Sequence, residues 1–234
     1  MTKNLFKESF TVKETVCTII SDKQNAIQAA KESITRNRTE LESYLKTNFQ
    51  FLYSLKPVPS PEKPQVAKLM AEASQKTGVG PMAAVAGAIA DLAVVDMTRA
   101  GCEVAVVEDG GEIAAKSNVP VDVAFAAGNE PLSKRFGFRL AEFPIAVATS
   151  SGRFSHALSF GDAEAATVFC KNAALADAAA TAVGNTVKGK DVQVAIRAGL
   201  NRGLSIEGIE GVMVIYKGQV GTAGKIPQLI RVEP

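Results

Sequence analysis

The chain has 234 residues, 47% of them apolar, and its 26 basic and 24 acidic side chains leave a formal net charge of +2. That composition supplies a substantial core, and the absence of a long basic run or an aromatic-interleaved basic stripe argues against nucleic acid as a partner. Cys17, Cys102 and Cys170 are scattered without CxxC spacing, and the N-terminus lacks signal-peptide character, so a disulfide framework, a zinc site and a membrane span are not expected; a cytoplasmic location is.

Residues 10–20, FTVKETVCTII, are rich in β-branched side chains and predict a strand. Ile27, Ile34, Leu41 and Leu45 then recur at helical spacing in a long amphipathic helix. The prolines of LKPVPSPEKP (55–64) mark an ordered connection, and Ser60 before Pro61 predicts the start of a helix that stops at Gly78. The stretch 81–100, PMAAVAGAIADLAVVDMTRA, is apolar around most of its circumference, dense in small residues and interrupted by Asp91; it predicts a buried helix ended by Gly101. Residues 103–115 read as strand, Gly-Gly turn and strand. Further strands are expected near 119–126, 137–141 and 144–149, with a pair across 157–169. Helices over 174–185 and 191–203, a hairpin at Lys217 and Gly218, and a strand near 226–232 complete the chain. Consecutive strands without crossover helices, and helices grouped together, predict an α+β fold: an antiparallel sheet with helices packed on one face. One domain over 1–234 is expected, with a strand-and-helix part (1–100) and a sheet-rich part (101–234).

Four stretches carry candidate chemistry. In ALADAAATAVGN (174–185), Asp177 and Thr181 lie four apart, so a carboxylate and a hydroxyl converge on one face of an alanine helix. Such hard oxygens suit Mg2+ or Ca2+; equally, Asp177 could cap the amides of a neighbouring segment while Thr181 bonds back to its own helix. In ATSSGRFSH (148–156), Thr149, Ser150, Ser151 and Gly152 form a small hydroxyl loop suited to phosphate oxygens; Arg153 adds charge, and His156, the only histidine, is a candidate acid or base. In EDGGE (108–112), Asp109, Gly110 and Gly111 let a ligand approach the backbone, or simply reverse a hairpin. TGVGPMAAVAG (77–87) leads into an apolar helix whose first amides favour an anion. No GxSxG elbow, second histidine or Gly-Lys-Ser/Thr occurs, which sets aside Ser-His-Asp hydrolases, zinc enzymes and P-loops.

In this order, GVGPMAAVAGAIAD, VVEDGGEI, ATSSGRFSHALSFG and ALADAAATAVGN resemble the ApbE superfamily, most closely its uncharacterised short branch, across roughly residues 10–230. The resemblance implies a T-fold-like ApbE architecture. Enzymes of the wider family are flavin transferases that split FAD in a Mg2+-dependent step and attach FMN to a Thr or Ser of a target protein. Carried over, it makes Asp177 and Thr181 metal ligands, with a backbone carbonyl from within Gly78 to Ala83. It also matches Thr149, Ser150, Ser151 and Gly152 to the family's Thr-Ser-Gly loop and sets His156, the candidate catalytic residue, near the family's His; Gly80, Asp109, Gly110, Gly111 and Arg153 join the loop as candidate cofactor-binding residues. Here HALSFG replaces the family's His-Ile-x-Asp-Pro stretch, so ligand binding with altered or absent catalysis is the alternative expectation. The implied partners are FAD or FMN with Mg2+, a protein acceptor and further copies of the chain. The other reading is a non-catalytic ligand-binding or accessory protein in sulfur assimilation and homocysteine formation.

Overall fold

The computed structural model describes residues 5–124, 136–151 and 161–231. The strands are β1 (Phe6–Val12), β2 (Thr15–Ser21), β3 (Ala105–Asp109), β4 (Glu112–Lys116), β5 (Val121–Ala124), β6 (Phe136–Leu140), β7 (Ile145–Ser150), β8 (Ala165–Cys170), β9 (Ile209–Tyr216), β10 (Gln219–Gly224) and β11 (Gln228–Arg231). The helices are α1 (Gln24–Leu45), α2 (Phe49–Tyr53), α3 (Gln65–Thr77), α4 (Val85–Arg99), α5 (Ala173–Thr186) and α6 (Val192–Leu204).

Eight strands form one antiparallel sheet in the order β1-β2-β3-β4-β7-β8-β9-β10. Because β2 pairs with β3, residues on both sides of position 100 build this sheet. Helices α1, α4, α5 and α6 cover one face, and α3 packs behind α4 and α5. Successive strand residues point to opposite faces, so Val107, Ala114, Ala148 and Val168 enter the helix-side core with Ile34, Ala90, Ala179 and Val183. Their neighbours Val106, Ile113, Val147 and Phe169 form a second core with Phe138 and Leu140. A three-stranded sheet, β11-β6-β5, covers that second face. The expected antiparallel sheet with helices on one face is present, and the small sheet on its other face is an addition to the expectation.

Several boundaries differ from the sequence reading. The strand expected over 10–20 is a hairpin, with Lys13 at φ +53° in its turn. The turn carries no Gly or Asn, so a continuous run of β-branched residues concealed it. The helix expected from Ser60–Pro61 begins at Gln65, because Lys63 precedes Pro64 and a residue before proline avoids helical geometry. It stops as expected, at Gly78 with φ +74°. A 3-10 turn, Pro81–Ala84, precedes α4. The 81–99 segment is long and apolar enough to cross a membrane, yet half of its most apolar window is buried within the protein. The strand expected before β8 falls partly on residues 157–160, outside the described residues.

Candidate functional site

Helices α4 and α5 cross at their first turns, and Gly87 makes the close approach there. A Cβ at Gly87 would collide with the Ala173 carbonyl. Across this contact each helix caps the other. Asp91, in the second turn of α4, accepts from Ala173 N at 2.9 Å and from Ala174 N at 3.0 Å. Asn172 caps Leu175 N with its side chain at 2.7 Å, and Ala176 N donates to the Asn172 carbonyl, so all four opening amides of α5 have acceptors. In return, Asp177 of α5 accepts from Gly87 N at 3.0 Å and also from the Ala86 amide. The N-cap of α4 is Ala84, which has no side-chain acceptor, so Asp177 supplies the cap from outside the helix. The anion expected at the start of this helix is therefore the protein's own carboxylate.

The capping role considered for Asp177 is real. Thr181, in contrast, makes no hydrogen bond back to its helix, nor to any side chain among the described residues. The stripe continues to Asn185: Asp177, Thr181 and Asn185 are partly exposed, as is the last residue, Thr186, whereas the rest of the helix is buried and mostly alanine. Asn185 could have been found in the sequence by extending the four-residue spacing once more.

Asp109 and Glu112 face each other across the β3–β4 turn, on the helix side of the sheet. Burial raises the Asp177 carboxyl to about 7, with further repulsion from Asp109 and Asp91. Glu112 is pushed well above the carboxylate range by burial, then by the charges of Asp177 and Asp109. Asp109 rises to about 6, burial again dominating; the Cys17 thiol donates to it and offsets part of the rise. Arg38 also draws Asp109 down, but its guanidinium is engaged with Thr15, Glu14 and Glu42. Asp91 is raised to about 6 by burial, against the lowering effect of its two amide bonds. In the sequence Glu112 stands out only as one of the acids flanking the two glycines, with no role of its own, and Asp91 was missed; the signal for Asp91 was a lone carboxylate in an apolar helix.

The other candidate residues divide between the two faces of the sheet. The Gly-Gly turn has φ +67° at Gly110 and +113° at Gly111, and Gly111 N donates to Glu108. Since Ile113 pairs with Val147, this turn adjoins the end of β7, where Thr149 and Ser150 lie. Thr149 bonds Thr167 across the strands at 3.0 Å and lines a groove of about 320 Å3 with Glu108, Gly111, Thr18 and Phe138. Strand alternation turns Ser150 to the helix side. Thus the hydroxyls read as one loop straddle the sheet. Ser151 is only 8% exposed, and its Oγ has no hydrogen-bond partner among the described residues. Gly80 packs its missing side chain against the Ser54 carbonyl, and its own carbonyl accepts from Ala83 N. Gly152, Arg153 and His156 lie outside the described residues. Among the described residues, no three His, Cys, Asp or Glu side chains are grouped to hold a metal.

Comparison with known proteins follows the same pattern. The UPF0280 protein of Methanococcus vannielii is 40% identical over 98% of this chain and 94% of its own length. The UPF0280 protein MJ1526 of Methanocaldococcus jannaschii is 38% identical over 97% and 94%. Among solved structures, the Pseudomonas stutzeri flavinyl transferase ApbE in its apo form superposes with a TM-score of 0.61 at 14% identity, covering 94% of each chain. The ApbE protein of Thermotoga maritima gives 0.58 at 14% identity over 98% of this chain and 97% of its own. These structures share the fold. The family model described as "AbpE bacteria" matches residues 6–221, and with the UPF0280 relatives this shows that the chain belongs to that ApbE-like family.

Proposed function

We propose that the protein binds a flavin nucleotide, FAD or FMN, through a Mg2+ ion held by Asp177 and Thr181. The observation that carries this reading is the convergence of three carboxylates, with Asp109 and Glu112 paired across the β3–β4 turn and Asp177 close enough to repel both; among the described residues Arg38 offsets this only in part. Asp177 accepts amide bonds from α4 and stands one helical turn from the Thr181 hydroxyl, which has no hydrogen-bond partner among the described residues. One carboxylate, one hydroxyl and backbone oxygens suit Mg2+, which keeps several positions for water and substrate phosphates instead of filling them with protein. A bound Mg2+ supplies charge neutralisation at a diphosphate. The buried Ser151 Oγ, lacking a partner among the described residues, fits a phosphate oxygen at the end of β7. Gly110 and Gly111 present backbone without side chains beside it. His156 serves as proton donor or acceptor in the transferase form of this reading, with a cytoplasmic protein as acceptor of FMN.

The replacement of the Asp-Pro stretch by HALSFG favours a second reading, in which the nucleotide is bound and not split, in an accessory role such as sulfur assimilation. One titration separates the two. FAD is added to wild type and Asp177→Ala, with and without Mg2+, and AMP is assayed. Mg2+-dependent binding with AMP release, both lost in the variant, establishes a flavin-nucleotide enzyme. Binding without AMP establishes the carrier form. No binding under any condition removes the flavin reading.

A further inference from the structure

Asp91 closes the GVGPMAAVAGAIAD stretch and has no part in the proposed site, yet this half-buried carboxylate turns both oxygens to backbone amides. One oxygen takes the first amide of α5 and the other takes the second. From the same helix, four residues earlier, Gly87 N reaches back to Asp177 on α5. The two contacts close a loop: α4 fixes the start of α5 through Asp91, and α5 fixes the start of α4 through Asp177. Gly87 lets the two backbones meet at the crossing. Asp177 sits one turn beyond the amides that Asp91 holds, so its position relative to α4 depends on that hold.

We infer that Asp91 is a positioning residue for Asp177: by clamping the Ala173 and Ala174 amides it keeps the Asp177 carboxylate on the Gly87 amide. The mechanical link is independent of any ligand; its value for holding a cation rests on the function proposed above. Both oxygens of Asp91 are turned to the first amides of α5, whereas Asp177 lies one turn further along that helix, on the same stripe as Thr181.

Amide hydrogen exchange tests the link directly, with Asp177→Ala as the reference for a freed Gly87 amide. Asp91→Asn keeps the shape of the side chain but replaces one acceptor by a donor, which faces an amide that also donates. Asp91→Ser, smaller and with one acceptor, is carried alongside so that the result does not depend on a single variant folding. Asn172→Ala is the control, because it weakens the same helix start at Leu175 N and leaves Asp91 in place. Loss of a charge-assisted bond predicts about tenfold or greater acceleration of Gly87 exchange in both Asp91 variants. Ala182 and Val183, further along α5, stay protected. Asn172→Ala lowers the Tm and leaves Gly87 protected.

Gly87 protection at the wild-type level in the folded Asp91 variants overturns the inference, as does equal acceleration in Asn172→Ala. A parallel Mn2+ titration separates this outcome from failure of the functional reading. If wild type binds Mn2+ no better than Asp177→Ala, the metal reading fails and the exchange result still decides the link. If Asp177→Ala loses Mn2+ and Asp91→Asn binds it as wild type does, the positioning role for the cation fails by itself.

Discussion

At Gly87 two opposing effects can be weighed. In a helix interior, alanine is better than glycine by roughly 1 kcal/mol, so propensity alone predicts that Gly87→Ala stabilises the protein. The crossing predicts the reverse, because the new methyl would occupy the space of the Ala173 carbonyl, a backbone atom in a capped helix start. Overpacking of this kind costs about 1–3 kcal/mol. Gly87→Ala is therefore expected to lose stability in urea denaturation. Gly111→Ala is the comparison: it meets nothing within 4 Å, and only its backbone angle of +113° opposes it. That loss, about 1–3 kcal/mol, would be backbone strain alone and would leave the α4–α5 crossing intact. A stabilised Gly87→Ala would mean that α4 and α5 can move apart freely, and the reciprocal capping would lose its structural basis.

Elements were legible in the sequence to the extent that their signals were local. The spacing of Ile27, Ile34 and Leu41 gave α1, where all three are buried, and Gly78 and Gly101 ended helices with positive φ. The alternation near 119–126 and 137–141 gave β5 and β6 as strands. It held no information about which sheet they join, because partners are chosen by distant side chains. Phe138 makes that choice visible: it is fully buried and meets Phe169 of the main sheet edge-on, with ring centroids 4.9 Å apart. Phe138→Ala is expected to cost about 3–5 kcal/mol in thermal or urea denaturation. It should expose the amides of β5, β6 and β11 to exchange before those of α4 and α5, whose contacts belong to the other core. Simultaneous loss in both regions would show that the two cores do not yield separately. The candidate site was legible only in part for the same reason: the Asp177–Thr181 spacing is local, whereas the cap joins Asp177 to an amide 90 residues away.

Over the whole molecule, a near-neutral net charge conceals an uneven distribution, with exposed acids paired to bases and buried acids facing one another. Asp96 and Asp122, paired with Arg36 and Arg139, lie below their ordinary pKa and favour the fold above pH 4, losing that contribution as pH falls. The buried acids act in the other direction. Asp91 and Asp109 have folded-state values of about 6 against an ordinary 3.8, so between these limits the folded chain holds protons that the unfolded chain has released. Their contribution is complete below pH 4 and is lost as pH rises through 6, at up to ~1.4 kcal/mol per pH unit for each proton. Stability measured by urea denaturation in EDTA is thus expected to decline from about pH 4 to pH 7 through these groups, and Asp91→Asn to show a shallower decline than wild type. Parallel curves would mean that Asp91 titrates normally. Where a cation takes the place of the proton, as the proposed function requires, saturating Mg2+ should restore stability near pH 7, by about 2.7 kcal/mol at a hundred times its Kd. That recovery should be absent from Asp177→Ala, whereas an equal recovery in the variant would place the cation elsewhere on the protein.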